Sequence, residues 1–168
     1  NLYPYRLGCA EARPCGLLLL SRFPVGQGRF NDFPSGPDRM VRGILAVPGH
    51  GAVALIGIHE TKPWYLGLTG GEAEAVRWGL RSGQGRPLVV AGDFNSAPWS
   101  LRMRRIQREH GLGFAAWPVP TWPVPAGLFG VPIDHVMVRS GAGIARLAPW
   151  GADLGSNHRG LIAEIALP

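Results

Sequence analysis

Three segments of the chain concentrate side chains able to move protons or hold a cation: VVAGDFNSAP around Asp93 and Asn95, PIDHVMV around Asp134, and GSNHRG around Asn157 and His158. A carboxylate such as Asp93 can orient or deprotonate a water, and a carboxamide such as Asn95 can donate a hydrogen bond to a phosphoryl oxygen without adding charge. Gly-Asp-Phe-Asn also reads as a plain turn, with Asp and Asn bonding their own backbone. Asp134 opens an apolar run whose alternation puts it on one face with Val136 and Val138, and a carboxylate on a buried face needs a partner. His158 is the obvious one, because a histidine oriented by a carboxylate presents its other nitrogen, protonated, to a phosphate. The competing reading is an Asp–His contact that serves structure alone. His59 closes the apolar run from Val53 to Ile58; by itself it reads as a surface residue, and its weight comes from the rest of the set. His135 points to the face opposite Asp134, while His50 in PGHG and His110 at a helix end read as structural.

The elements that must position these groups follow from punctuation and periodicity. Leu17 to Ser21 has the length of a buried strand, and Gln27 to Asp38 reads as a surface loop. Met40 to Val47 and Ala52 to His59 flank PGHG as a hairpin. Thr69 to Glu72 has capping-box spacing ahead of a crossover helix over Ala73 to Arg81. Pro87 to Ala91 is an apolar strand that stops at Gly92-Asp93 and delivers Asp93 and Asn95 at its C-terminal end, where ligands bind in α/β sheets. Ser100 caps a second helix that stops at Gly111. Ile133 to Arg139, Ile144 to Leu147 and Leu161 to Leu167 read as strands, and WPVP, which occurs twice, is too short to be a structural repeat.

The 168 residues, 46% of them hydrophobic, suit one domain, and 25 Gly with 16 Pro favour short, strand-rich elements over a bundle of long helices. The formal charge of +6 is almost wholly arginine, Lys62 being the sole lysine. That suits a nucleic acid or another phosphate ester, and a codon bias explains it equally well. Cys9 and Cys15 are too few for a metal site; a local disulfide, favouring an oxidising compartment, and two free thiols are equally ordinary. LLLL at Leu17 to Leu20 is too short to span a membrane, and no segment reads as a signal peptide.

GDFN, then Thr121-Trp-Pro and Ile-Asp-His, then Ser-Asn-His-Arg resembles the endonuclease/exonuclease/phosphatase superfamily, the DNase-I-like metal-dependent phosphodiesterases. GLLLLSRFPV and IGIHETKP extend the resemblance upstream, so that it runs from Gly16 to the C-terminus. It implies an α/β four-layer sandwich, two mixed β-sheets flanked by helices. It also implies Mg²⁺ or Mn²⁺, hard cations that prefer oxygen ligands. His59 would be a general acid or phosphate contact, Asp93 with Asn95 would handle the water and the phosphoryl oxygens, and Asp134 would pair with His158. The implied activity is hydrolysis of phosphodiesters or phosphomonoesters by in-line attack of water, on a phosphoester substrate or a nucleic acid, by a monomer with no organic cofactor.

Two departures stand out. Family members carry an Asn and a metal-binding Glu on their first strands, which nothing before Gly16 supplies, Glu11 lying in a polar stretch. Residues 1–168 are therefore expected to be the C-terminal part of a longer domain of this type. The family also has a metal-binding Asp where Asn157 stands, and a neutral ligand weakens the hold on a divalent cation. One alternative is a degenerate relative that binds phosphate or nucleic acid, or acts as a scaffold. Another is a nucleic-acid binder using Arg102, Arg104, Arg105 and Arg108, which more ordinarily form a solvated helix face. Trp117, Trp122 and Trp150 read as packing residues. Membrane-anchored bacterial relatives with a Tyr-Pro-Tyr entry point to a periplasmic or extracytoplasmic domain, the alternative being the cytoplasm.

Overall fold

A computed structural model of the chain describes residues 2–9, 16–30, 39–60, 62 and 85–168. In chain order these form β1 (Tyr5–Gly8), β2 (Leu18–Ser21), β3 (Val25–Phe30), β4 (Met40–Val47), β5 (Gly51–His59) and β6 (Leu88–Asp93). Helix α1 (Leu101–His110) follows. Then come β7 (Gly113–Phe114), a short 3-10 segment (Val124–Phe129), β8 (Asp134–Arg139), β9 (Gly143–Trp150) and β10 (Gly160–Ala166). Six strands make one mixed sheet in the order β3-β4-β5-β6-β8-β7, and β1–β2 and β9–β10 are separate antiparallel pairs. The β5–β6 pair is parallel; the other pairs in the large sheet are antiparallel. This is the expected α/β class.

Period-two alternation divides the large sheet into two faces. On one, Ile56, Ile58, Leu88, Val90 and Met137 are buried with Met103 of α1 and Phe94. Asp93 and Asp134 belong to the other face, which also carries Gly57. There the side chain of Leu17, just before β2, lies against Gly57, where an added Cβ would sit 3.7 Å from Leu17 Cδ2. Helix α1 starts where expected, Ser100 Oγ accepting from the Met103 N–H at 3.2 Å, and it ends at Gly111 in the left-handed region (φ 62°).

Several expectations change. The stretch from Gln27 is not all loop: β3 runs to Phe30, with Arg29 opposite Arg42 and a bulge after Gly26. An edge strand held by main-chain bonds on one side tolerates polar and glycine residues, so composition hides it. β2 forms, but Leu18 and Leu20 are 49% and 43% exposed. β1 was not expected at all, and its main chain pairs with β2 from Tyr5–Ser21 to Gly8–Leu18. The expected capping box at Thr69 and helix over Ala73 to Arg81 lie outside the described residues. No described helix is long and apolar enough to cross a membrane. Cys9 is disulfide-bonded.

Candidate active site

Strand register creates the site. His59 lies opposite Asp93 in the parallel β5–β6 pair, and Asp93 lies opposite Asp134 in the antiparallel β6–β8 pair. In-register neighbours point to the same face, so one row across three strands carries all three side chains. His59 Nε2 is 3.9 Å from Asp93 Oδ2. His158 enters from the loop before β10, its Nδ1 2.9 Å from Asp134 Oδ2. One ligand atom each from Asp93, Asp134 and His158 lies within 4.8 Å of the other two. Gly92 permits the close strand approach that this row needs: its φ is +146°, and a Cβ there would lie 1.8 Å from the Ile58 carbonyl oxygen.

The turn reading and the site reading of GDFN are both correct, because each uses different atoms. Asp93 Oδ1 accepts the Asn95 main-chain N–H at 2.7 Å, with Asn95 in the left-handed region (φ 47°) that asparagine tolerates. Oδ2 remains on the side of His59. Asn95 Nδ2 donates to the Glu60 carbonyl at 2.7 Å and to Asp93 Oδ2 at 3.3 Å. Donation to a phosphoryl oxygen would require leaving those partners, so the carbonyl Oδ1 is the atom Asn95 has to offer. Burial pushes the Asp93 carboxyl above its ordinary range; the Asn95 N–H opposes this, the Asp134 charge adds to it, and His158 and His59 pull the other way.

Asp134 is anchored from behind. Thr121, 1% exposed, accepts the main-chain N–H groups of Ile133 and Asp134 at 3.2 Å each. The same Thr-Trp-Pro loop binds the Ser-Asn-His-Arg loop: the Arg159 N–H donates to the Thr121 carbonyl and the Val124 N–H to the Asn157 carbonyl. The rings of Trp122 and His158 are 6.5 Å apart. Asn157 itself is exposed, one residue before His158. His135 lies on the opposite face, buried, Nε2 2.8 Å from the Ser96 carbonyl, with Phe94 and Phe114 against its ring. Burial holds its pKa below the usual histidine value, so it stays neutral and serves structure.

Sequence reasoning missed Glu60 and misread Arg102. Glu60 is 2% exposed in its side chain and pairs with Arg102 at 2.5 Å, so Arg102 is not part of a solvated face. The Glu60 main chain donates to the Asp93 carbonyl and accepts from Asn95, so this ion pair ties helix α1 to the turn that carries the site. The available signal was a charged residue directly after a strand-end histidine, facing an arginine in the first turn after GDFN. Arg102→Met is expected to cost about 3–5 kcal/mol by removing an ion-pair partner of the buried Glu60 carboxylate, and Glu60→Met in the same chain to restore most of it. Urea unfolding of the two variants decides this; an unaffected single variant would show that Arg102 does not support the fold. Trp117 is 84% exposed and packs little, whereas Trp150, 56% exposed, lays its ring against Gly160, where an added Cβ would sit 3.1 Å from Cε3.

A sequence model of the Endonuclease/Exonuclease/phosphatase family matches residues 1–158. The chain belongs to this family. No curated protein sequence matches. Among solved structures, an endonuclease/exonuclease/phosphatase from Beutenbergia cavernae is similar at 21% identity and a TM-score of 0.68, over 89% of this chain and 47% of that one. The chain thus spans about half of that protein. A 3′ phosphatase from Neisseria, bound to a product DNA hairpin, is similar at 14% identity and a TM-score of 0.73, over 96% of this chain and 79% of its own. A mannosyl-6-phosphatase from Bacteroides thetaiotaomicron is similar at 14% identity and a TM-score of 0.67, over 89% of this chain and 70% of that one. At these identities the likeness establishes the DNase-I-like fold that the family shares.

Proposed function

We propose that this chain carries the water- and phosphate-handling side of a divalent-metal-dependent phosphoester hydrolase. The observation behind the reading is the cluster of Asp93, Asp134 and His158 ligand atoms within 4.8 Å. The Asp93 carboxylate and the Asn95 Oδ1 offer oxygen donors that suit Mg²⁺ or Mn²⁺, with Asn157 at the rim. When bound, the cation would neutralise phosphate charge and make water a better nucleophile. Asp93, its carboxyl pushed up by burial, is placed to take the proton from the attacking water. Asp134 holds His158 through Nδ1, which leaves Nε2 to donate to a phosphoryl oxygen. His59, 43% exposed in its side chain, can contact the phosphate from the other end of the row. The similar structures from Neisseria and Bacteroides are named as a 3′ phosphatase bound to a product DNA hairpin and as a mannosyl-6-phosphatase, which supports phosphoester chemistry without choosing the substrate.

In this reading the chain supplies one side of the metal site, and it spans about half of the similar Beutenbergia cavernae protein. The competing degenerate reading rests on Asn157. Calorimetric titration of the full-length protein with Mn²⁺ separates the two when run beside hydrolysis of bis(p-nitrophenyl) phosphate. Asn157→Asp is expected to tighten the ion about tenfold, a carboxylate replacing a neutral ligand. Unchanged affinity would take Asn157 away from the metal. Mn²⁺ binding without turnover of any phosphoester would favour the degenerate reading.

A further inference from the structure

β8 starts at Asp134 with a strand neighbour on one side only. β6 pairs along its whole length, from Asp93–Asp134 to Leu88–Arg139, whereas β7 pairs only at Val138 and Met137. Among the described residues no strand pairs with β8 at Asp134 on that second side, and a side chain stands in for one. Thr121 Oγ1 accepts the N–H groups of Ile133 and Asp134 at 3.2 Å each and donates to the Val131 carbonyl at 3.5 Å. A hydroxyl has one proton to give and two lone pairs, so the whole capacity of this one is used, and its burial keeps water from competing.

The main chain of Thr121 reaches the other half of the Asp134–His158 pair. Its carbonyl accepts the Arg159 N–H at 2.8 Å, one residue past His158, and its own N–H donates to the Val131 carbonyl at 3.2 Å. A single residue is thus tied both to Asp134 and to the neighbour of His158. The bond between the pair, 2.9 Å from Nδ1 to Oδ2, joins side chains that are 27% and 20% exposed, so water can replace it once the carboxylate is free to turn.

Resting on the hydrolase reading above, we infer that Thr121 is a positioning residue for this pair. Its hydroxyl fixes the first residue of β8 so that the Asp134 carboxylate meets Nδ1 of His158, which holds the proton of the neutral imidazole on Nδ1 and leaves Nε2 toward the substrate. Thr121 itself touches neither the water nor the phosphate. Filling the space would not require a hydroxyl, since valine differs from threonine chiefly in lacking it; the two N–H groups require the acceptor.

The test is NMR of the imidazole nitrogens in the full-length protein, in chelator and at mildly alkaline pH, where histidine is neutral. Wild-type His158 is expected in the Nδ1–H form. Thr121→Val should lose that form to a mixture of the two tautomers, and Thr121→Ser, which keeps the hydroxyl, should retain it. His135 is the internal control: it follows Asp134 on the opposite face and donates from Nε2 to the Ser96 carbonyl, so its Nε2–H form should persist in every variant. Thr121→Ala makes the same test if the valine protein does not fold. In hydrolysis of bis(p-nitrophenyl) phosphate, Thr121→Val is expected to lose about tenfold or more in kcat at an unchanged KM, with serine restoring it. A His158 that lacks the Nδ1–H form in the wild type, or keeps it in the valine and alanine proteins, overturns the inference. So does a His135 that changes along with it, which would mean that the whole strand has loosened. A wild-type protein without turnover would end the hydrolase reading and leave the tautomer result as it stands.

Discussion

Asp93→Asn is expected to lower phosphoester turnover by the full-length protein about a thousandfold or more, while leaving the metal-free fold as stable as before or more so near neutral pH. The loss follows from removing the group that takes the water's proton and one oxygen ligand of the cation together. The gain follows from burial and from the Asp134 charge, both of which disfavour the Asp93 carboxylate. Its folded pKa lies above the unfolded value of 3.8, so folding is favoured while the group is protonated and that advantage disappears as pH rises through the folded pKa. Asparagine avoids the penalty and keeps an oxygen for the Asn95 N–H at 2.7 Å, which outweighs the loss of the longer 3.3 Å bond from Asn95 Nδ2 to Oδ2. Melting curves of the two metal-free proteins should therefore diverge toward neutral pH and converge in acid. A variant that turns over normally removes Asp93 from the chemistry; one that melts lower at every pH makes the carboxylate a structural ligand of its turn.

His158→Ala is expected to cost about a hundred- to a thousandfold in turnover, the scale of losing a positioned proton donor. Asp134→Asn should cost less, because the imidazole keeps its place through Trp122 and the loop contacts of Asn157 and Arg159 while losing the carboxylate that orients it. If Asp134 acts only through His158, the double variant is no slower than His158→Ala, since residues working as one unit are not additive. A double variant slower by the product of the single effects would give Asp134 an independent role.

Much of the site is legible in the sequence. The apolar run ending at Gly92-Asp93, the alternation putting Asp134 and His135 on opposite faces, and the Ser100 and Gly111 helix boundaries are local signals, and the fold respects each of them. Local signals were weaker where a main chain is held by a neighbour rather than by its own side chains. β1 and the second half of β3 went unread for that reason, since polar and glycine residues pair as well as apolar ones at a sheet edge. Arg102 was misread because an arginine at a helix start looks the same whether water or a buried carboxylate faces it.

The sequence by itself determined which residue types can do this chemistry and that Asp93 and Asp134 sit at the ends of apolar strands, because both facts follow from period and punctuation. Only the tertiary structure decided that His59, Asp93 and Asp134 fall in one row, since that depends on the register of β5 against β6 and of β6 against β8. It likewise decided that Glu60 and Arg102 meet beneath that row and that Asn95 turns its amide inward. These are contacts between segments far apart in the chain, set by packing and by the need of each buried polar group for a partner, and no local pattern encodes them.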